Sequence, residues 1–314
     1  MEQVFPTIDN PIDPPYKVVL LLDILQEEGI AAAAVLAGSG LDLQQVSNPA
    51  TRISVRQLLT VFGNAQRLSS DPALALRAGK RVHITHFGLY GYALLSSATP
   101  RDAIEFALRY RPLTAPLIGL AFDESNGQAG WIFSDILGLG TNSELFRFAL
   151  EFQLGAQLSL HGDILGAAAQ PCAIHLVYPA PIHAASYLTL LGCPARFEQA
   201  RNELRFDGDW LQHKLTYANP ITAALVRETC DQLLAELRSA SGLASQVFSM
   251  LMQGPGHFPD IENIAERLHL TARTLRRKLQ TQGVSYQTIL TDVRRQLAIG
   301  YLRKTHMNIE DIAA

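Results

Sequence analysis

The residues best equipped for chemistry crowd together near the C-terminal end: Arg273, Arg276, Arg277 and Lys278, with hydroxyls at Thr271 and Thr274. A guanidinium carries its donors in a fixed fork that meets the paired acceptors of a guanine edge. A hydroxyl at a helix start can hold a phosphate oxygen. Arg273, Arg276 and Arg277 are therefore the candidates for base-edge contact, and Thr271, Thr274 and Lys278 for contact with a nucleic-acid backbone. A merely solvated basic face is the alternative that spacing alone leaves open.

The charge distribution bears on that choice. The chain of 314 residues has 26 basic and 29 acidic side chains, a net charge of −3. Residues 257–314 hold nine basic and six acidic groups, which leaves 17 basic against 23 acidic in the first 256. From Thr271 to Lys304 eight basic residues face Asp292 alone. Such asymmetry points to a nucleic-acid-binding segment attached to a different kind of domain.

The elements that must position these side chains are two short helices. Asp260 is placed to cap a helix whose Ile261, Ile264, Ala265 and Leu268 point inward. His269-Leu270-Thr271 then makes a tight turn, and Ala272 to Gln282 forms a second helix with Leu275 and Leu279 on its buried side. This is the pattern of a helix-turn-helix.

The run from Ile261 to Gly283, with Ser285-Tyr286 and Val293-Arg294-Arg295 to Tyr301-Leu302, closely resembles the first helix-turn-helix and linker helix of AraC/XylS-type transcriptional regulators. Asn308 to Ala313 is similar to the first helix of that family's second helix-turn-helix. Upstream, Phe87 to Thr99, and Ala195-Arg196-Phe197 with Asn202 to Phe206, resemble the N-terminal effector domain of the ornithine-utilisation and VirS-like subgroup, of arabinose-binding-domain type. The resemblance implies an effector-binding and dimerisation domain over residues 1–240 and an AraC-type DNA-binding domain over 241–314. It implies a bacterial transcription regulator with promoter DNA, a small-molecule effector, RNA polymerase and a second protomer as partners. The alternative is a ligand-independent regulator controlled by a protein partner or by dimerisation. The chain stops at Ala314, inside the first helix of the second unit, so the expected all-α domain is truncated there.

Periodicity describes the rest as mixed α+β. Helical patterns cover Tyr16–Glu28, Ser54–Leu68, Leu74–Ala78, Pro100–Tyr110, Glu144–Leu160 and His183–Leu191. Apolar runs on either side of Glu124-Ser125-Asn126-Gly127 predict a β-hairpin, and further strands fall at Ala173–Tyr178 and Glu203–Phe206. Asn219-Pro220 opens a long helix to about Ser239, a candidate dimer or coupling element with Ile221, Leu225, Thr229 and Leu233 on one face. The Ser-Ala-Ser-Gly stretch after Arg238 marks the domain boundary.

Effector pockets are mostly apolar with a few polar groups. Tyr90, Tyr92, Trp131 and Phe133 are candidates to line one, with core packing as the alternative. Arg109 and Arg111, near this set, can pair with an effector carboxylate or with Glu105 on the surface, and the surface is the preferred reading. His83 and His86 have the spacing of two metal ligands but no third nearby, so packing is the preferred reading.

The longest apolar tract, Ile30 to Ala37, is far below the ~20 residues of a spanning helix. No secretory pattern follows Met1, which predicts a cytoplasmic protein. Three widely spaced cysteines, Cys172, Cys193 and Cys230, form no C-x-x-C pair and read as reduced, mostly buried thiols. No catalytic motif, cofactor loop or metal site is found, so no enzyme, cofactor or membrane association is expected.

Overall fold

A computed structural model describes residues 8–9, 11–114, 116–125, 127–166, 170–240, 242–252, 258–281, 285–291 and 293–294, omitting the side chains of 235–240, 242, 245, 249 and 252. The last stretch of the sequence resemblance, from Arg295 to Ala313, lies outside the described residues. Two compact units form, one over Ile8–Leu233 and one from Leu234 onward.

Helices in the first unit begin where a side chain can satisfy their free amides. Ser54 accepts from Gln57 N and Gln57 returns a bond to Ser54 N, opening α4 (Val55–Leu68). Asp42 and Gln45 do the same for α3 (Leu43–Ser47), as do Thr99 and Asp102 for α7 (Pro100–Tyr110), where Pro100 takes the first helical position. With α1 (Tyr16–Glu27), α2 (Ala32–Leu36), α5 (Leu74–Lys80) and α6 (Gly88–Ser96), they make a helical layer. Its apolar faces converge on Leu21, Ile24, Leu58, Phe62 and Leu76, all fully buried.

The layer is built around α8 (Glu144–Leu165), which is buried on most of its circumference. That burial hides its end from periodicity: it runs past Leu160 to Leu165 and stops at Gly166, whose φ of +63° favours glycine. The backbones of α5 and α8 touch at Gly79 and Gly155. A Cβ on Gly155 would lie 2.6 Å from Leu76 O, and one on Gly79 would collide with Phe152 O. Buried Glu151 of α8 accepts from Tyr187 OH at 2.7 Å and lies 2.9 Å from His183 Nε2, which ties in α9 (Ala184–Leu191).

A five-stranded sheet completes the unit in the order β1-β2-β5-β3-β4. The expected hairpin joins β1 (Gly119–Ser125) to β2 (Gln128–Ser134) with Gly127 at φ +75°, and β5 (Asn202–Asp207) pairs antiparallel with β2. β3 (Ala173–His175) is shorter than the predicted strand. Beyond it Leu176 N bonds Arg196 O and Val177 N bonds the Asn202 side chain, so the ladder ends. β4 (Ala195–Arg196) lies parallel to β3. All three cysteines are free; Cys193 and Cys230 are buried, whereas Cys172 is exposed. α10 (Pro220–Ala240) follows.

The second unit contains α11 (Gly242–Met252), α12 (Ile261–Arg267) and α13 (Ala272–Thr281) around a small core. Val247, Leu251, Ile261, Ile264, Leu275, Leu279 and Val293 are buried together. Among the described residues no helix is long and apolar enough to cross a membrane.

Gly79→Ala should lower stability by about 1–3 kcal/mol, because the colliding atom is backbone and cannot swing away. Denaturant unfolding of the variant checks this; unchanged stability would mean that α5 and α8 do not meet backbone to backbone.

Candidate functional site

Between α1, α6, α7, α8 and the first two strands lies a cavity of about 100 Å³. Its wall is largely apolar, with Phe87, Leu94, Ile104, Leu117 and Phe152 among its residues. The polar lining consists of Lys17, Arg111, Gln153, Gln157, His161 and Trp210 with a few hydroxyls, and no Asp or Glu is among the described lining residues.

Trp131 of β2 and His161 of α8 join sheet to helix at this wall. Trp131 Nε1–H donates to His161 Nε2 at 2.8 Å, and the imidazole lies against the rings of Phe206 and Trp210. Burial pushes the His161 pKa down to about 3, so the ring is neutral, and an accepting Nε2 leaves the proton on Nδ1. Among the described residues that Nδ1 has no partner, and neither has Trp210 Nε1.

Arg111 follows α7 and is 6% exposed. It donates to Leu120 O at 3.2 Å and to Ile118 O, and no carboxylate among the described residues pairs with it. Desolvation lowers its pKa to about 10, which leaves it charged at neutral pH. Lys17, also buried, contrasts with it: its Nζ lies 2.5 Å from Asp13. Burial works against this ammonium, but the carboxylate beside it holds its pKa above the ordinary value.

The candidate lining residues divide. Tyr90 and Trp131 reach the cavity, and Tyr90 OH donates to Ala107 O at 3.2 Å. Tyr92 does not: two positions beyond Tyr90 it lies on the other side of α6, and it is 56% exposed near Leu89. Phe133 packs in the core on the same strand face as Trp131 but away from the cavity. Arg109 points to the surface and pairs at 2.8 Å with Asp231 of α10, where Tyr110 OH donates to the same oxygen. The surface reading thus describes Arg109, with Asp231 in place of Glu105, but not Arg111, which is buried because it turns inward to the carbonyls of Ile118 and Leu120. Periodicity singled out neither His161 nor Trp210. The signal for His161 was a lone imidazole in the apolar run of α8, which acquires meaning only beside Trp131. His83 and His86 serve a helical turn: His83 N donates to His86 Nδ1, and His83 Nδ1 lies 3.1 Å from Asp163. No cluster of three metal-ligating side chains occurs among the described residues.

The second unit presents the basic residues. Asp260 caps α12 by accepting from Asn263 N at 2.8 Å. The turn passes through His269 at φ +54°, and Leu270 N closes it on Ala265 O. Thr271 Oγ1 then accepts from Thr274 N at 3.2 Å and lies 2.9 Å from Thr274 Oγ1, so both hydroxyls are engaged at the start of α13. Leu275 and Leu279 are buried one turn apart, and 3.6 residues per turn puts Arg273 and Arg277 on the opposite, exposed side. Arg276 lies on the flank and pairs with Glu262 of α12 at 3.0 Å. Lys278 is exposed on the other flank, and Gln280, not singled out by charge, shares the outer face.

Residues 29–215 match the family described as the N-terminal arabinose-binding domain of AraC transcription regulators. The chain belongs to the AraC family of transcription regulators. The match contains the whole cavity lining except Tyr16 and Lys17. This AraC-family chain is 33% identical to the ornithine utilization regulator of Pseudomonas aeruginosa, over 93% of its own length and 86% of that protein. It is 25% identical to an uncharacterized HTH-type transcriptional regulator of Mycobacterium tuberculosis, over 96% and 88% of the two chains. The crystal structure of the transcriptional regulator CdpR from Pseudomonas aeruginosa shares the fold, with a TM-score of 0.51 at 19% identity over 95% of this chain and 89% of that one. The family is one of regulators and not of enzymes.

In this AraC-family protein, His161 makes folding pH-dependent. Its pKa is near 6.5 when unfolded and about 3 when folded. Its stability term is therefore complete above pH ~6.5 and is lost as the pH falls, by about 1.4 kcal/mol per pH unit. Denaturant titrations at pH 4 to 7 should show that slope for the native chain relative to His161→Gln. Parallel curves would mean that the imidazole is free to protonate in the fold.

Proposed function

We propose that the protein is a DNA-binding transcription regulator whose N-terminal domain, residues 1–240, senses a small-molecule effector and whose C-terminal all-helical domain, residues 241–314, binds promoter DNA. In this reading α12 and α13 are a helix-turn-helix, and the DNA-bound protein acts on RNA polymerase. The observation that carries it is the division of α13 into a buried Leu275/Leu279 side and an exposed Arg273/Arg277 side. A helix of this kind enters the major groove with its guanidinium groups at base edges. Thr271, Thr274 and Lys278 take the phosphate contacts, and Arg276 contributes from the flank once it leaves Glu262.

The enclosed, largely apolar cavity is the proposed effector site, with Tyr90 and Trp131 in its wall. An effector changes DNA binding only by binding two arrangements of the protein with different affinity. A second reading, control by dimerisation without a ligand, is favoured by α10, where Ile221 is 82% and Leu225 64% exposed. Ile221→Lys/Leu225→Lys should then turn a dimer into a monomer in sedimentation and abolish DNA binding. A chain that sediments identically with and without these changes removes this reading.

Salt-titrated binding to DNA from the protein's own upstream region tests the main proposal. Arg273→Ala and Arg277→Ala should each cost about 1–3 kcal/mol of sequence-specific binding. Lys278→Ala should weaken all sequences alike and reduce the salt slope by about one. Binding indifferent to sequence and to these arginines would reduce α13 to a solvated surface.

A further inference from the structure

We propose that the cavity takes a small organic carboxylate with an apolar body, anchored by the guanidinium of Arg111. The inference deepens the reading of this cavity as the effector site and rests on it.

The argument begins with an unpaired charge. Buried cations are costly unless something opposite in charge meets them. The other buried charges among the described residues of this unit have partners: Lys17 has Asp13, Glu203 has Arg201 and Arg205 at 2.8 and 3.0 Å, and Glu151 has His183 and Tyr187 at 2.9 and 2.7 Å, with Arg147 at 4.0 Å. Arg111 has only the carbonyl dipoles of Leu120 and Ile118 among the described residues. It is 6% exposed and stands in the wall of a cavity that contributes no Asp or Glu.

The unmet hydrogen bonds of the same wall have the same sense. His161 is 4% exposed and its Nδ1 has no partner; Trp210 is 5% exposed and its Nε1–H has none. With His161 Nε2 occupied by Trp131, both open positions are donors. The cation calls for a ligand that brings negative charge; the two donors have essentially no accessible surface in this arrangement and meet such a ligand only after a small shift of their rings. The remaining wall is hydrocarbon and aromatic, which suits an apolar body. A volume of about 100 Å³ is below the ~150 Å³ that admits benzene, so acids of about three to four carbons in all fit. The same inventory argues against a ligand with two ammonium groups, since no carboxylate in the described lining would receive them.

The test compares acids with their uncharged isosteres on the full chain. Propanoate, butanoate and 2-methylpropanoate are set against propanamide, butanamide and 2-methylpropanamide, with arabinose and ornithine beside them, using calorimetric binding and thermal melting. The expected result is at least a ~10-fold preference for one or more of the acids over the matching amide. Arg111→Met should abolish that preference while melting at or above the native temperature, because it removes a buried unpaired cation. A merely structural Arg111 would instead lower the melting temperature and leave the acid-to-amide ratio intact. If Arg111→Met does not fold, the ratio on the native chain decides, together with Trp210→Phe, which should weaken acid binding without unfolding the protein. Amides that bind as well as acids, or a preference that survives in Arg111→Met, overturn the proposal. Binding of arabinose or ornithine alone overturns it and leaves the effector reading standing. No shift and no change of DNA binding with any probe overturns both.

Discussion

The backbone contact between α5 and α8 at Gly79 and Gly155 governs the architecture of the N-terminal unit. Without side chains at those two positions, carbonyl and amide of one helix sit against those of the other, and α8 sinks into the middle of the unit. From there it serves several neighbours. Phe148 and Phe152 meet Phe62 of α4, Glu151 reaches His183 and Tyr187 of α9, and His161 takes the indole N–H of Trp131. Phe152, Gln157 and His161 also form one side of the cavity. A displacement of α8 by the width of a methyl group would disturb all of these, since packed interiors do not deform smoothly.

Charge is handled differently in the interior and at the C-terminal helices. Inside the first unit Asp13 meets Lys17 and Glu203 meets two arginines, which is what low polarizability demands. Arg111 departs from that pattern among the described residues, and it stands in the wall of the cavity. On α13 the positive groups are exposed, where solvent and salt screen their mutual repulsion and a phosphate backbone can still attract them. In the proposed roles, the buried arginine meets a small anion and the exposed ones a large polyanion.

The helices of the second unit show how little core is needed to aim a basic face. Leu275 and Leu279 fix the rotation of α13 against Ile261, Ile264 and Ala265, and the cap at Thr271 fixes where the helix begins. Those two constraints set the direction of every other side chain on the helix. They also explain why Arg276, one position before Arg277, is tied to Glu262 while its neighbour is not.

The amino-acid sequence by itself determined local features: helix starts at Ser54, Thr99 and Asp260, the turn at Gly127, the amphipathic face of α13, and the family. Each of these depends on groups within a few residues of one another, or on motifs long enough to be distinctive. Tertiary structure alone decided where α8 ends, how β5 comes to lie between β2 and β3, and which aromatic and charged groups share a cavity. Tyr90 and Tyr92 illustrate the difference, for they are two residues apart on one helix and alike in chemistry, yet one lines the cavity and the other faces solvent. Arg109 and Arg111 part in the same way, one held by Asp231 at the surface and the other enclosed by α7 and β1. The physical reason is that burial and electrostatic partners are supplied by residues tens of positions away, and no spacing within a single element records them.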